Sequence, residues 1–183
     1  KTYNTVQIGN QCWMKENLNY NSANSTCYGN DSLNCRDYGR LYKWSATPTA
    51  CPSGWHLPSD NEWSQLVDYA VLQGNPNTNT ENGAGNALKS CRQVNSPLGG
   101  DCRTYIPPRW NEHDTHYGFD KFGFSATPGG CYAYYTYYYF TSLGNAGYWW
   151  SSSGRQWYIN YDNGGVSNSS IPSYQSYYHL SIR

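Results

Sequence analysis

The stretch CPSGWHLPSDNEW, residues 51–63, crowds a cysteine, two prolines, a glycine, two tryptophans and a histidine into thirteen positions. Its end carries a helix start. Ser59 has a short side chain that can accept from a backbone N–H, and Glu62 stands three residues later, the spacing of a capping box. Asp60 adds negative charge at the positive end of the helix dipole. Trp63, Leu66, Val67, Ala70 and Val71 then recur at i, i+3, i+4, i+7 and i+8 and make one apolar face. Gly74 ends the helix. Before the cap, Pro52, Gly54 and Pro58 shape a turn, while Trp55 and Leu57 are expected to plug the core. His56, between them, reads as a buried, hydrogen-bonded histidine and not a base. The stretch is a joint rather than a site. On this reading Trp55→Ala costs ~3–5 kcal/mol, as truncating a core aromatic does.

Outward from this helix the signals are shorter. Residues 1–9 alternate Tyr3, Thr5 or Val6, and Ile8 up to Gly9, which reads as an opening strand. Trp13, Met14 and Leu18 follow as core anchors. Residues 19–39, rich in Asn, Ser and Gly, read as a loop. Leu41, Trp44 and Ser45 fall at helical spacing and predict a short helix that stops before Pro48. NALKSC (86–91) has room for one helical turn. From about residue 90 turn formers separate short strand-like runs: GFSAT (123–127), CYAYYTYYYF (131–140), GYWWSSS (147–153), QWYINY (156–161) and YHLSIR (178–183). Trp149, in the third of these, is expected in the core. Two helices near the N-terminal half, then strands with long loops, predict an α+β domain with short antiparallel sheets. The 183 residues fit one domain, 1–183.

Composition narrows the function. Lys+Arg and Asp+Glu balance at 12 each. That zero net charge argues against nucleic acid and acidic membrane surfaces, which both need a basic excess. No apolar run is long enough to insert into a membrane. Charged residues make up only 13% of the chain, about half the usual share, and Tyr (20) and Gly (18), with Asn and Ser, take their place. This mix resembles that of antibody binding loops and suits neutral partners, glycan or protein. Seven cysteines without a CxxC pair argue for an oxidising, extracellular compartment and against zinc-ribbon or redox motifs. Cys27 with Cys35, and Cys91 with Cys102, would close short loops. The odd count leaves one cysteine without an internal partner.

Signals for chemistry are few. There is no dinucleotide or phosphate loop and no nucleophile elbow. Glu112, His113, Asp114 and His116 in NEHDTH match no known ligand spacing and read as a polar loop. No cofactor is expected. A structural calcium held by loop Asp side chains and carbonyl oxygens stays open, without EF-hand spacing. The unusual feature is CYAYYTYYYF. On a strand, Tyr132, Tyr134 and Tyr138 point one way, and Tyr135, Tyr137 and Tyr139 the other. One set can form an exposed aromatic ladder, or loops can cover both faces. Tyr158, Tyr161, Asp162 and Asn163 lie on or beside a hairpin whose turn is marked by Asn-Gly. Together, Tyr134, Tyr135, Tyr137, Tyr138, Tyr158, Tyr161, Asp162 and Asn163 are the candidate ligand surface.

Several segments, in order, carry a family resemblance: YNTVQIGNQCWMKENLNY, YGRLYKWSAT, CPSGWHLPSDNEWSQLV, LKS, FGFSATPGG, YWWSSS and the closing LSIR. As a set they resemble the Fibrobacter succinogenes major paralogous domain over nearly the whole chain. That family is similar in turn to C-type-lectin-like domains and to the formylglycine-generating (sulfatase-modifying) enzyme fold. The resemblance implies a secreted or surface-anchored protein, part of a longer chain. It also implies a disulfide from Cys51 to a cysteine just past Arg183, which leaves Cys12 with Cys131, the competing pair being Cys51–Cys131. Enzyme activity does not carry over, because those relatives use a close pair of late cysteines and Cys131 has none after it. The Glu-Pro-Asn sugar motif of true lectins is missing. The expectation is a non-catalytic binding module; a fibre or surface-layer subunit packing against other copies of itself is the alternative, with an enzyme behind both.

Overall fold

The computed structural model describes residues 2–134, 137–171 and 177–183. The chain opens with a hairpin of β1 (Thr5–Ile8) and β2 (Gln11–Met14), turned at Gly9 with φ +57°. Short β3 (Ser25–Thr26) is followed by α1 (Ser32–Tyr38), whose first turn is capped by Asp31 accepting from Leu33 N at 2.9 Å. The loop reading of residues 19–39 missed this helix. The segment read as one helix is β4 (Leu41–Lys43), then a single 3-10 turn at Trp44–Ala46 where Trp44 and Ser45 were expected to be helical, then α2 (Thr47–Ala50). Leu41 and Tyr42 are buried in the sheet, and Pro48 starts α2 rather than ending a helix, because its missing N–H is not needed in a first turn.

Helix α3 (Asp60–Leu72) is the longest helix among the described residues, and its capping box is complete. Ser59 Oγ accepts from Glu62 N at 3.2 Å, and Glu62 Oε2 accepts from Ser59 N at 2.7 Å. Trp63, Leu66, Val67 and Ala70 face inward as the spacing requires. Val71 does not: it is 42% exposed, at the margin of the face. After α4 (Ala84–Leu88) comes a long irregular stretch, then β5 (Gly129–Tyr134), β6 (Tyr138–Leu143), β7 (Ala146–Trp150), β8 (Arg155–Asn160), β9 (Ser167–Ser170) and β10 (His179–Leu180). The expected strand at 123–127 is only a bridge from Ala126 to Lys89. CYAYYTYYYF is two strands of a hairpin instead of one.

β3 to β10 form one eight-stranded sheet in the order β3-β4-β10-β5-β7-β8-β9, with β6 paired to β5. All its strand pairs are antiparallel except β5 with β7, which meet in parallel at Gly130 and Gly147. The architecture is therefore α+β, mostly sheet with a few short helices.

Strand alternation on β7 feeds two cores. Trp149 joins a core with Trp13, Trp63, Trp110, Phe124 and Trp157. Its neighbour Trp150 joins another with Leu18, Tyr42, Cys131, Ala133 and Leu180. Trp63 is the hub of the first: its ring lies 5.0 Å from Trp13 and stacks on Trp157 at 5.8 Å. The helix start is tied to the sheet through Asp60, which accepts from Trp157 Nε1 at 2.8 Å. Trp55 and Leu57 are only half-buried at the edge, and Pro58 is the buried residue of that turn.

Candidate binding surface

The β5–β6 hairpin gathers tyrosines because its register sets alternate residues of both strands on one face. Tyr132 pairs with Phe140 and Tyr134 with Tyr138. The other face of β5, Cys131 and Ala133, fills the second core, so the aromatic face is held outward. Tyr132 stacks on Tyr138 at 5.2 Å and meets Phe140 at 4.5 Å and His179 at 5.0 Å. Tyr134 meets Tyr138 at 4.9 Å and Tyr177 at 5.1 Å. Phe140 extends the strip to Tyr28, beside the Cys27–Cys35 disulfide. Tyr134 and Tyr138 stay 38% and 40% exposed. The hydroxyls of Tyr132, Tyr134 and Tyr138 make no hydrogen bond to described residues. Tyr137, 71% exposed, turns away and pairs with Tyr139 at 5.9 Å. Tyr135 lies outside the described residues.

No charged side chain takes part in these ring contacts. The one ionisable neighbour that titrates near neutrality, His179, is kept uncharged: burial, then Lys43 opposite it in the sheet, pushes its pKa down to about 4. The rings of the strip are thus uncharged and edged with hydroxyls, and Lys43, next in the row beyond His179, borders them on one side.

The remaining candidates sit elsewhere. Tyr158 pairs with Tyr148 at 5.7 Å across β7 and β8. Tyr161 packs on the first core and edges His113 at 6.1 Å. Asn163 closes its own turn, accepting from Gly165 N at 2.8 Å. Asp162 is exposed at the tip. Among the described residues no ring contact joins this turn to the tyrosine strip, because β8 leaves the sheet on the other side of β7. The single surface expected from the sequence is two places.

Beneath that turn lies Lys89, buried with 0% exposure. Its Nζ donates to Asn86 Oδ1 at 3.0 Å and to the carbonyls of His116, Tyr161 and Asn163 at 2.8, 3.2 and 3.0 Å. Burial pushes its pKa down to about 7, against the pull of Asp162. The NEHDTH loop is folded on itself, with His113 Nδ1 accepting from His116 N at 3.1 Å.

The model of the Fibrobacter succinogenes major domain matches residues 6–183. The chain belongs to that family. Neither a curated protein nor a solved structure matches it significantly.

In this Fibrobacter major domain Cys27–Cys35 and Cys91–Cys102 are bonded as the spacing suggested. Cys12, Cys51 and Cys131 are free, so neither the Cys12–Cys131 pair nor its competitor Cys51–Cys131 is formed. Cys12 points outward from β2 beside inward Trp13, while Cys131 is sealed in the second core, which separates them. Burial pushes the Cys131 thiol up to about 12. Sequence reading also missed a cavity of about 320 Å³ lined by Cys12, Trp13, Trp55, His56, Glu62 and Arg183. His56 is exposed there rather than buried, paired with Glu62 at 2.8 Å. Among the described residues no three His, Cys, Asp or Glu converge as a metal site, and no helix is long and apolar enough to cross a membrane.

Proposed function

We propose that this domain is a non-catalytic, extracellular binding module on a C-type-lectin-like scaffold, and that it recognises an uncharged glycan through the tyrosine strip of β5 and β6. One observation carries the reading: Tyr132, Tyr134 and Tyr138 form a connected, partly exposed aromatic face whose hydroxyls bond no described residue, with Lys43 beyond His179 as its neighbouring charge. Aromatic faces cover the apolar C–H faces of sugar rings, and phenol hydroxyls exchange hydrogen bonds with sugar hydroxyls. Rings already packed against one another lose little entropy on binding. The rings themselves carry no charge for a partner to pair with.

The two disulfides and the lack of a membrane-spanning helix among the described residues support a secreted protein. The non-catalytic reading draws on Cys131, whose raised pKa leaves no thiolate at neutral pH. A glycan array probed with the wild type and with a Tyr134→Ala, Tyr138→Ala double variant tests the proposal. Retention of neutral glycans by the wild type and their loss in a folded variant is expected. A wild type that retains no glycan but captures a protein through the same tyrosines would overturn the glycan assignment. Binding indifferent to both tyrosines would overturn the surface.

A further inference from the structure

The Lys89 ammonium has the surroundings of a bound cation. Three backbone carbonyls and one side-chain amide oxygen converge on it, from α4 and from two loops far apart in sequence. No carboxylate bonds it among the described residues, and the Trp110 ring lies 5.4 Å from Nζ. Every polar partner is an acceptor. A neutral amine would bring a lone pair against one of those oxygens, so the arrangement requires the protonated form.

Asn86 and the 161–166 loop, which supply three of the four oxygens, are also held by contacts other than the lysine. The Asn86 amide is oriented by Nδ2 donating to Glu81 O at 2.8 Å, which fixes Oδ1 toward Lys89. Gly85 N donates to Gly164 O at 2.7 Å, and Tyr161 N to Asn145 O at 2.7 Å. Gly164 N and Val166 N are held by Asn79 Oδ1 and Asn77 Oδ1 at 3.0 and 2.7 Å. Helix α4 and the 161–166 loop approach so closely that a Cβ at Gly85 would strike the Gly165 carbonyl and one at Gly164 the Thr80 carbonyl. These contacts do not run through Lys89.

We propose that the oxygens of Asn86, His116, Tyr161 and Asn163 form a site for a small monovalent cation, filled in this chain by the tethered ammonium of Lys89, which fixes the Tyr161–Asn163 turn. Neutral oxygens without a coordinating carboxylate suit a monovalent ion better than a divalent one. The proposal is independent of what the tyrosine strip binds.

The test is thermal unfolding of Lys89→Ala in chlorides of potassium, ammonium, n-butylammonium and tetramethylammonium at equal ionic strength. The variant is expected to melt several degrees below the wild type. Recovery should saturate with ammonium or n-butylammonium, fail with bulky tetramethylammonium, and be absent in the wild type. Equal responses to all four salts would overturn the site. Should Lys89→Ala not fold, ¹⁵N NMR of the wild type decides. A lysine Nζ carrying three slowly exchanging protons at pH 5.5, below the lowered pKa, supports the caged ammonium, and its absence overturns it.

Discussion

The rings of Tyr132 and Tyr138 stack 5.2 Å apart with 15° between their planes, across the register of the β5–β6 hairpin. Tyr138 is the more exposed of the two and also touches Tyr134 and Tyr177. Its ring adds about 0.5–1.5 kcal/mol through such pairs, as aromatic contacts do. Tyr138→Ala should therefore leave the fold intact, with a stability loss of about that size by urea unfolding. On the proposed function it should weaken glycan binding at least about tenfold, as removal of an aromatic anchor does. Tyr138→Phe keeps the stack, so any binding it loses measures the hydroxyl.

The outer rings do not share a plane. Tyr134, Tyr138 and Tyr177 are tilted to one another by 37° to 62°. A flat crystalline face can rest only on coplanar rings, whereas a single chain can turn to follow tilted ones. The domain should therefore retain soluble oligosaccharides and amorphous polysaccharide and not microcrystalline material. Sedimentation with the two forms of one polysaccharide checks this, and stronger retention on the crystalline form would contradict it.

His179 makes the strip's support sensitive to acid. Its pKa is pushed down to about 4 from the ordinary 6.5 by burial and then by Lys43. Between those values the unfolded chain binds a proton that the folded chain refuses. Stability is therefore fully present above pH 6.5, falls as pH drops through the window, and levels off below about 4. The shift corresponds to about 3 kcal/mol. His179→Phe keeps a ring against Tyr132 and has no proton to bind. Urea unfolding at pH 7 and pH 4.5 should show a smaller acid loss in the variant than in the wild type.

What the sequence showed, and what it hid, follows from how local each signal is. The capping box at Ser59 and Glu62 and the face of Trp63, Leu66, Val67 and Ala70 are set within two helical turns, and both are present. The hairpin inside CYAYYTYYYF was hidden because no Gly, Pro, Asn or Asp lies between Tyr134 and Tyr138 to announce a turn. Tyr161–Asn163 looked contiguous with the tyrosines because all lie in one polar, aromatic half, yet sheet order separates them. The burial of Lys89 and Arg183 has little sequence signal, because lysine and arginine are nearly always exposed. The apolar neighbours Leu88 and Ile182 were the only hint of burial.

The two tryptophans of the opening stretch should separate cleanly. Trp63 is 1% exposed and touches Trp13, Trp149, Trp157 and Phe124. Trp63→Ala should lose ~3–5 kcal/mol, the range for a core aromatic. Trp55 is half-buried on the wall of a cavity, so Trp55→Ala should lose only about 1 kcal/mol, well below the value expected from sequence. Equal losses by chemical unfolding would mean that Trp55 belongs to the core after all.

Arg183 closes the fold from the far end. Its guanidinium is 3% exposed as a residue, lies 4.3 Å over the Phe124 ring, and donates to the carbonyls of Met14, Lys15 and Phe124 and to Asn17 Oδ1. Asn17 Oδ1 also accepts from Trp149 Nε1 at 2.8 Å, so the arginine and the core tryptophan share one acceptor. Removing the arginine leaves buried carbonyls without donors, each worth ~1–3 kcal/mol. Arg183→Ala should therefore lose at least about 3 kcal/mol. Arg183→Lys keeps the charge but not the planar fork that reaches several acceptors at once, so it should recover only part of the loss. Thermal unfolding of the three proteins, ranked wild type above Lys above Ala, checks the assignment; a lysine variant as stable as the wild type would show that charge alone, without the fork, is what the site requires.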